Sequence, residues 1–297
     1  MSKFCIERLM WEIETKQVIV PHCDDFIDII RKSNGEDECI ERICSRFNLT
    51  SEQAEFLMCL SLDEIPNLYQ EYLQKQLKYI VKLDRWLEDT ATQCDNYARK
   101  NNTDYYVFQS PIPTMEVETL IIGINPGGYK EYTTALKEKG IQKRTKHDLS
   151  QEINLYSVRN FHPDNKVMAK KLSRVFISED QMDILDTAIA INVYYFNTAK
   201  DSDLCGTIGI ETMRFCESKT RELIEILNPQ KIIFLTTAHW LLKNIGVTQI
   251  KSEGHFVKSG ILNDRKILAL PNPGYYKAYS YANGTEMSKI LTEYMRD

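Results

Sequence analysis

Apolar positions change their spacing near residue 107, and the change separates a helical third from an alternating α/β part. Over residues 1–100 they recur at helical intervals. Thr50-Ser51-Glu52-Gln53 is a capping box, with Thr50 as N-cap and Gln53 at the third helical position. The helix it starts carries Ala54, Leu57, Met58 and Leu62. After Pro66 a long amphipathic helix is predicted to about Asp89, with Tyr69, Leu73, Leu77, Ile80 and Leu87 near one stripe. The polar run 90–104 reads as a linker or a frayed helix end. From about Val107 short apolar runs alternate with helical stretches. Strands are predicted at 117–124, 184–192, 231–236 and 266–270, and three are nearly continuous apolar runs. Such runs belong to parallel strands buried on both faces. Helices are predicted at 166–176, 211–227, 239–245 and 286–295. This order predicts a three-layer α/β/α domain with a short, mostly parallel sheet over residues 101–297. An all-α module over residues 1–100 precedes it.

Composition narrows the class. A chain of 297 residues holds one large or two modest domains, with ordinary apolar and charged fractions. No apolar run approaches the roughly 20 residues that span a bilayer. The N-terminus lacks a basic region followed by an apolar core, so a cytoplasmic protein without a membrane partner is expected. Eight scattered cysteines with no Cys-x-x-Cys argue for reduced, buried thiols and against a zinc or iron–sulfur site. Residues 1–89 hold 11 Lys/Arg against 18 Asp/Glu, which leaves 26 against 24 for the remainder. The acidic balance thus belongs to the helical third. A near-neutral remainder binds DNA weakly by phosphate contacts alone, so affinity would have to come from a bent or flipped base.

Three strand-end segments carry candidate chemistry. In Thr119-Leu120-Ile121-Ile122-Gly123-Ile124-Asn125-Pro126-Gly127-Gly128 an apolar strand breaks into a tight loop. Asn125 then stands at the strand's carboxyl end, where open α/β sheets bind ligands. Pro126 pushes Asn125 toward an extended backbone, and Gly127 lets a ligand approach the main chain. No Gly-Lys-Ser/Thr and no Gly-x-Gly-x-x-Gly is present, so neither nucleotide-loop pattern fits. The second segment is Leu270-Pro271-Asn272-Pro273-Gly274-Tyr275-Tyr276, after the last predicted strand. The third is Ala190-Ile191-Asn192-Val193-Tyr194-Tyr195-Phe196. Five histidines give no metal-ligand spacing: His147 and His162 fall in a long insert over 129–164, His239 starts a helix, and His255 lies between strands. The insert carries Lys137, Lys139, Lys143, Arg144 and Lys146, and reads as a phosphate-contacting flap or a solvated loop.

The first segment resembles the first active-site motif of the uracil-DNA glycosylase superfamily, in its mismatch-specific (G:U, G:T) branch. The second resembles that branch's second motif, Leu-Pro-Asn-Pro-Ser-Gly followed by an intercalating segment. Gly274 stands where the family has Ser, and Tyr275 and Tyr276 stand where it has a small residue and an apolar wedge. The third resembles the strand-end Asn of the uracil-specific and single-strand-selective branches. Asn228-Pro229-Gln230-Lys231 resembles the family's Pro-Lys-strand segment, and the likeness spans about 118–295. In the helical third, residues 26–33 and 47–58 resemble the exit-gate helical module of type IIA topoisomerase A subunits, where two subunits meet.

The resemblance implies a monofunctional DNA glycosylase that excises uracil or a related base, with DNA as partner and no cofactor or metal. Asn125 would position water, and Asn272 with N–H groups near Gly274 would stabilise the leaving base. Gly123, Ile124, Pro126, Gly127 and Asn192 would line the base site, with Tyr129 as its aromatic platform. Pro273, Gly274, Tyr275, Tyr276 and Lys277, with Tyr279, would meet DNA and fill the vacated stack. The topoisomerase likeness implies a homodimer through the N-terminal helices. Two alternatives stay open: a weakly catalytic or inactive glycosylase-fold module that binds DNA or protein, and a nucleotide-binding enzyme of other chemistry.

Overall fold

A computed structural model describes residues 6–60, 69–114, 116–157, 159, 166–199 and 203–296. The chain divides into two compact units, residues 1–85 and 86–297. The first is helical: α1 (Ile6–Ile19), α2 (Cys23–Lys32), α3 (Glu36–Phe47), α4 (Ser51–Met58) and the beginning of α5 (Tyr69–Asn101). The predicted capping box forms at the start of α4. Gln53 N–H donates to Thr50 Oγ1 at 3.3 Å, and Thr50 N–H donates to Gln53 Oε1 at 3.0 Å. Ala54 and Leu57 then face a core with Ile19, Phe26 and Ile43. Leu62 and Pro66 lie outside the described residues.

The polar run after Asp89 is neither linker nor frayed end, because α5 continues through it to Asn101. Leu87, Ala91, Cys94 and Ala98 are buried three and four residues apart along it. Alanine and cysteine are small, so this stripe is faint in the sequence although it packs fully.

The second unit is built on a six-stranded sheet. Its strands are β1 (Thr119–Gly123), β2 (Ile189–Asn192), β3 (Lys231–Phe234), β4 (Thr248–Ser252), β5 (Lys258–Leu262) and β6 (Arg265–Ala269). Their order is β2-β1-β3-β6-β5-β4. The first four are mutually parallel, β5 runs antiparallel to β6, and β4 runs antiparallel to β5. Alternate residues face opposite layers. Ile121, Ala190, Ile233 and Leu268 join a core with residues of α7 (Lys166–Leu172), α8 (Glu179–Thr187) and α11 (Tyr281–Arg296). Leu120, Ile122, Ile232 and Phe234 alternate to the other face and are fully buried too. On that side α9 (Leu204–Leu227) meets the chain beyond β2, where Thr220 Oγ1 donates to Val193 O at 3.1 Å. α10 (His239–Ile245) packs on α9.

Helix ends shift from the sequence pattern, with α7 ending at Leu172 rather than 176 and α11 beginning at Tyr281 rather than 286, and two larger differences stand beside them. The run 184–192 is helix up to Thr187 and strand only from Ile189. A capping box at Ser178 and Gln181 starts α8, and Asn154 Nδ2 donates to Leu185 O and Ala188 O at 2.8 Å where α8 ends. The antiparallel pair β4–β5 has no counterpart in the predicted elements. β4 is almost wholly exposed at the sheet's edge, so it lacks an apolar alternation. Within the insert α6 (Tyr132–Lys139) forms, and no helix among the described residues is long and apolar enough to cross a membrane.

Candidate functional site at the carboxyl edge of the sheet

Because β1, β2, β3 and β6 are parallel, the segments that follow them all leave one edge of the sheet. The loops carrying Asn125 and Asn272 therefore share that edge. β3 alone separates β1 from β6 in the sheet, which puts their ends about 10 Å apart. None of residues 123–130, 192–199, 235–240 or 270–280 is Asp or Glu. These stretches supply amides, hydroxyls, rings and cations; Glu131, Asp201 and Asp203 follow farther along the same connections.

Gly123 is opposite Asn192 in the β1–β2 register. A Cβ at Gly123 would overlap Asn192 Oδ1 and the Tyr156 hydroxyl, so only glycine leaves room for both. Asn192 is 1% exposed, yet neither its Oδ1 nor its Nδ2 has a hydrogen-bond partner. A buried polar atom without a partner costs on the order of 1–3 kcal/mol. Asn192 leaves both atoms of one amide so, where buried Gln109 and Asn197 each leave only one. Tyr156 is placed by Asn154, whose Oδ1 accepts its backbone N–H at 2.9 Å. Burial pushes the Tyr156 phenol well above its usual range, so it stays a neutral O–H donor.

Asn125 is half-buried, and its amide nitrogen is spoken for. Nδ2 donates to Thr198 Oγ1 at 2.8 Å and to Pro126 O at 3.0 Å. Its Oδ1 meets no donor among the described residues, so the carbonyl oxygen is the atom presented. The loop is tied to the chain beyond β2: Val193 N–H donates to Gly123 O at 3.0 Å and Tyr194 N–H to Ile124 O at 2.8 Å. Gly127 bridges Thr198, and Asn197 Nδ2 donates to Gly128 O at 3.1 Å, where φ is +77°.

That anchoring chain is itself braced by the segment before β1. Tyr106 N–H donates to Tyr195 O at 2.8 Å, and Asn197 N–H donates to Asp104 O at 2.8 Å. Arg144 backs this brace from the insert. It is fully buried, pairs with Asp104 at 2.7 Å, and lies over the rings of Tyr105 and Tyr106 at 5.1 and 4.4 Å. Arg144 is thus neither a phosphate contact nor part of a solvated loop.

The third loop is an Asx turn. Gly274 N–H donates to Asn272 Oδ1 at 2.6 Å, and Tyr275 N–H donates to Asn272 O at 2.8 Å. The N–H expected near a leaving anion is therefore given to Asn272 itself. Lys171 Nζ donates to Pro273 O and buried Tyr279 donates to Pro271 O, both at 2.6 Å. Pro273 is buried, Gly274 and Lys277 are exposed, and Tyr275 is half-exposed against Phe256. The Tyr276 side chain and His162 lie outside the described residues.

Sequence reasoning offers Tyr129 as the base platform. Tyr129 is 52% exposed, and it is Tyr156 that lies against Gly123. Tyr156 and Thr198 had no motif to mark them; each gains its place only when its loop folds back on β1. His239 begins α10, and exposed His255 sits in the β4–β5 turn. Among the described residues no group of three His, Cys, Asp or Glu is placed to hold a metal.

Asn192→Leu tests whether the orphaned amide is retained against stability. Replacing an unpartnered amide by an apolar side chain of the same branching is expected to stabilise the protein by about 1–3 kcal/mol, less any cost of fitting the larger methyl groups. The melting temperature should rise by roughly 2–10 °C in calorimetry. A fall of that size would mean that the amide is structurally engaged.

No family model matches the chain, and no curated protein sequence matches it.

Proposed function

We propose that the protein is a monofunctional DNA glycosylase, similar to the uracil-DNA glycosylase superfamily, that hydrolyses the N-glycosidic bond of uracil or a related mismatched or damaged base. Asn192 carries the reading: a buried amide with both atoms unpartnered, at a strand end beside Gly123 and Tyr156. An amide donates and accepts together, which matches a pyrimidine edge with a carbonyl beside an N–H. A base flipped out of its stack would supply both missing partners.

The chemistry follows from the groups at the edge. Bond cleavage places positive character on the sugar and negative charge on the departing base. Asn125 cannot take a proton usefully, but its presented Oδ1 can hold a water against the sugar. Negative charge developing on the base would meet amides, the Tyr156 hydroxyl and main-chain N–H groups, with no Asp or Glu in 123–130, 192–199, 235–240 or 270–280. Such a site suits bases that leave well as anions. Asn272 would aid the leaving base after its Asx turn opens, which frees the Gly274 N–H.

That same turn favours a second reading, in which the fold binds DNA or a protein without excising a base. The two readings separate on one assay. Duplexes carrying uracil opposite guanine or adenine, and single strands carrying uracil, are incubated with protein and treated with alkali. Strand cleavage supports the enzyme; retained binding with no cleavage of any substrate supports the module.

The helical unit is proposed as a dimerising element on its likeness to the topoisomerase module. A chain lacking residues 1–85 is then expected to scatter light as a monomer, at roughly a third of the mass of the full-length dimer. An unchanged oligomeric state would remove that idea.

A further inference from the structure

The exposed large aromatic side chains among the described residues are Tyr72, Tyr129, Trp240, Tyr275 and Tyr281. Four of these five follow the carboxyl ends of parallel strands: Tyr129 after β1, Trp240 after β3, and Tyr275 and Tyr281 after β6. A fifth position on the same edge comes from the β4–β5 turn. β5 pairs antiparallel with β6, with Lys258 opposite Ala269, so the turn before Lys258 reaches the carboxyl edge. There Phe256 meets Tyr275 edge-on at 6.4 Å and His255 at 4.4 Å.

Two of these rings are held before any ligand arrives. Trp240 lies nearly parallel to Tyr194, 21° between planes, and the Tyr194 hydroxyl donates to Glu217 at 2.7 Å. The Arg174 guanidinium lies 4.8 Å over the Tyr281 ring. The charge around them is mixed: Glu217 stands behind Tyr194, and at the β4–β5 turn Glu286 Oε1 accepts the His255 backbone N–H at 3.4 Å. Neither 235–252 nor 265–285 contains an Asp or Glu, and Lys277 is exposed among them.

Exposed rings beside cations such as Lys277 match what single-stranded nucleic acid requires. Every base has a face to stack, and phosphates follow the cations. A duplex hides those faces inside its own stack. We infer that this edge is a stacking rim for single-stranded DNA, and that the base reaching Asn192 is drawn from a single strand. The second clause rests on the glycosylase reading; the first does not. From β1 to β5 the rim spans three strand spacings, about 14 Å, or about four nucleotides at 3.4 Å per phosphate.

The test is fluorescence anisotropy of the full chain with labelled oligothymidine, which carries no uracil, offered single-stranded and paired with oligoadenine. The single strand is expected to bind at least about tenfold more tightly than the duplex. Trp240→Ala and Tyr275→Ala should each weaken single-strand binding by about 5- to 100-fold, and Trp240→Phe should restore most of it. Both side chains are half-exposed, so the fold is kept, and quenching of Trp240 emission in the unaltered protein gives a second readout. Equal affinity for both forms, or alanine variants that bind like the wild type, would overturn the rim. Uracil release from duplex alone would overturn the single-strand assignment and leave the glycosylase reading intact. Tight single-strand binding without release from any substrate would do the reverse.

Discussion

Asn125→Ala is expected to slow base release by about 10²–10³-fold, the usual loss when one preorganised polar group at a reacting centre is removed. The reason is geometric. Thr198 and Pro126 O occupy the Asn125 amide nitrogen, and this orients the carbonyl oxygen. Alanine removes the oxygen that would hold the water. The loss should fall on kcat, because the base edge is read by Asn192 and not by Asn125. Stability should fall by only about 1–3 kcal/mol, since two hydrogen bonds donated by a half-buried amide are lost. Thr198→Val separates positioning from chemistry. It keeps Asn125 but removes one of the two acceptors that orient its nitrogen, so kcat should fall by about tenfold with KM unchanged. A single-turnover excision assay reads both variants. Unchanged rates in Asn125→Ala would exclude it from the reaction.

Arg144→Ala is expected to cost about 3–5 kcal/mol, because it strands the Asp104 carboxylate in a dry interior. Arg144 and Asp104 are 0% and 1% exposed at their side chains, so water cannot replace the lost partner. Arg144 also donates to Tyr105 O and to the Tyr106 hydroxyl, and covers both rings. The melting temperature should fall by roughly 6–20 °C. pH gives a signature. Burial already pushes the Asp104 carboxyl above its ordinary range, and the Arg144 charge opposes that push. Without Arg144 the rise is larger. A carboxyl whose folded pKa is raised binds its proton more tightly in the folded state, so stability grows as pH falls through that pKa. The deficit of Arg144→Ala should therefore shrink from neutral toward acid pH, whereas a simple packing loss would not. Arg144→Met with Asp104→Leu should recover most of the stability at neutral pH.

The parts of the fold legible in the sequence are those where one residue type has one physical use. Ile121 and Ile122 lie in an apolar run too short for a helix and ended by Gly123 and Pro126, and β1 ends at Gly123. Thr50 and Gln53 leave little choice but a capping box. Placing Asn125 and Asn272 each after a parallel strand was enough to put them on one edge. What stayed hidden depends on partners distant in the chain. Ile184 and Leu185 suit a strand as well as a helix, and Asn154, thirty residues earlier, helps set where α8 ends. Arg144 sits among lysines in a polar insert, and nothing nearby reveals that Asp104 and two tyrosine rings enclose it. Tyr156 is one tyrosine among 16, and its meeting with Gly123 depends on the return of the insert to the sheet.

The central claim is that a nucleobase completes the Asn192 amide. Its most direct test is an NMR titration of isotope-labelled protein with free uracil, following the Asn192 side-chain N–H₂ resonances. Saturable shifts are expected at Asn192 and in the Tyr156 ring, and the Tyr156 shifts should be lost in Asn192→Leu. Asn192 resonances that stay fixed while uracil is bound elsewhere, or not at all, would contradict it.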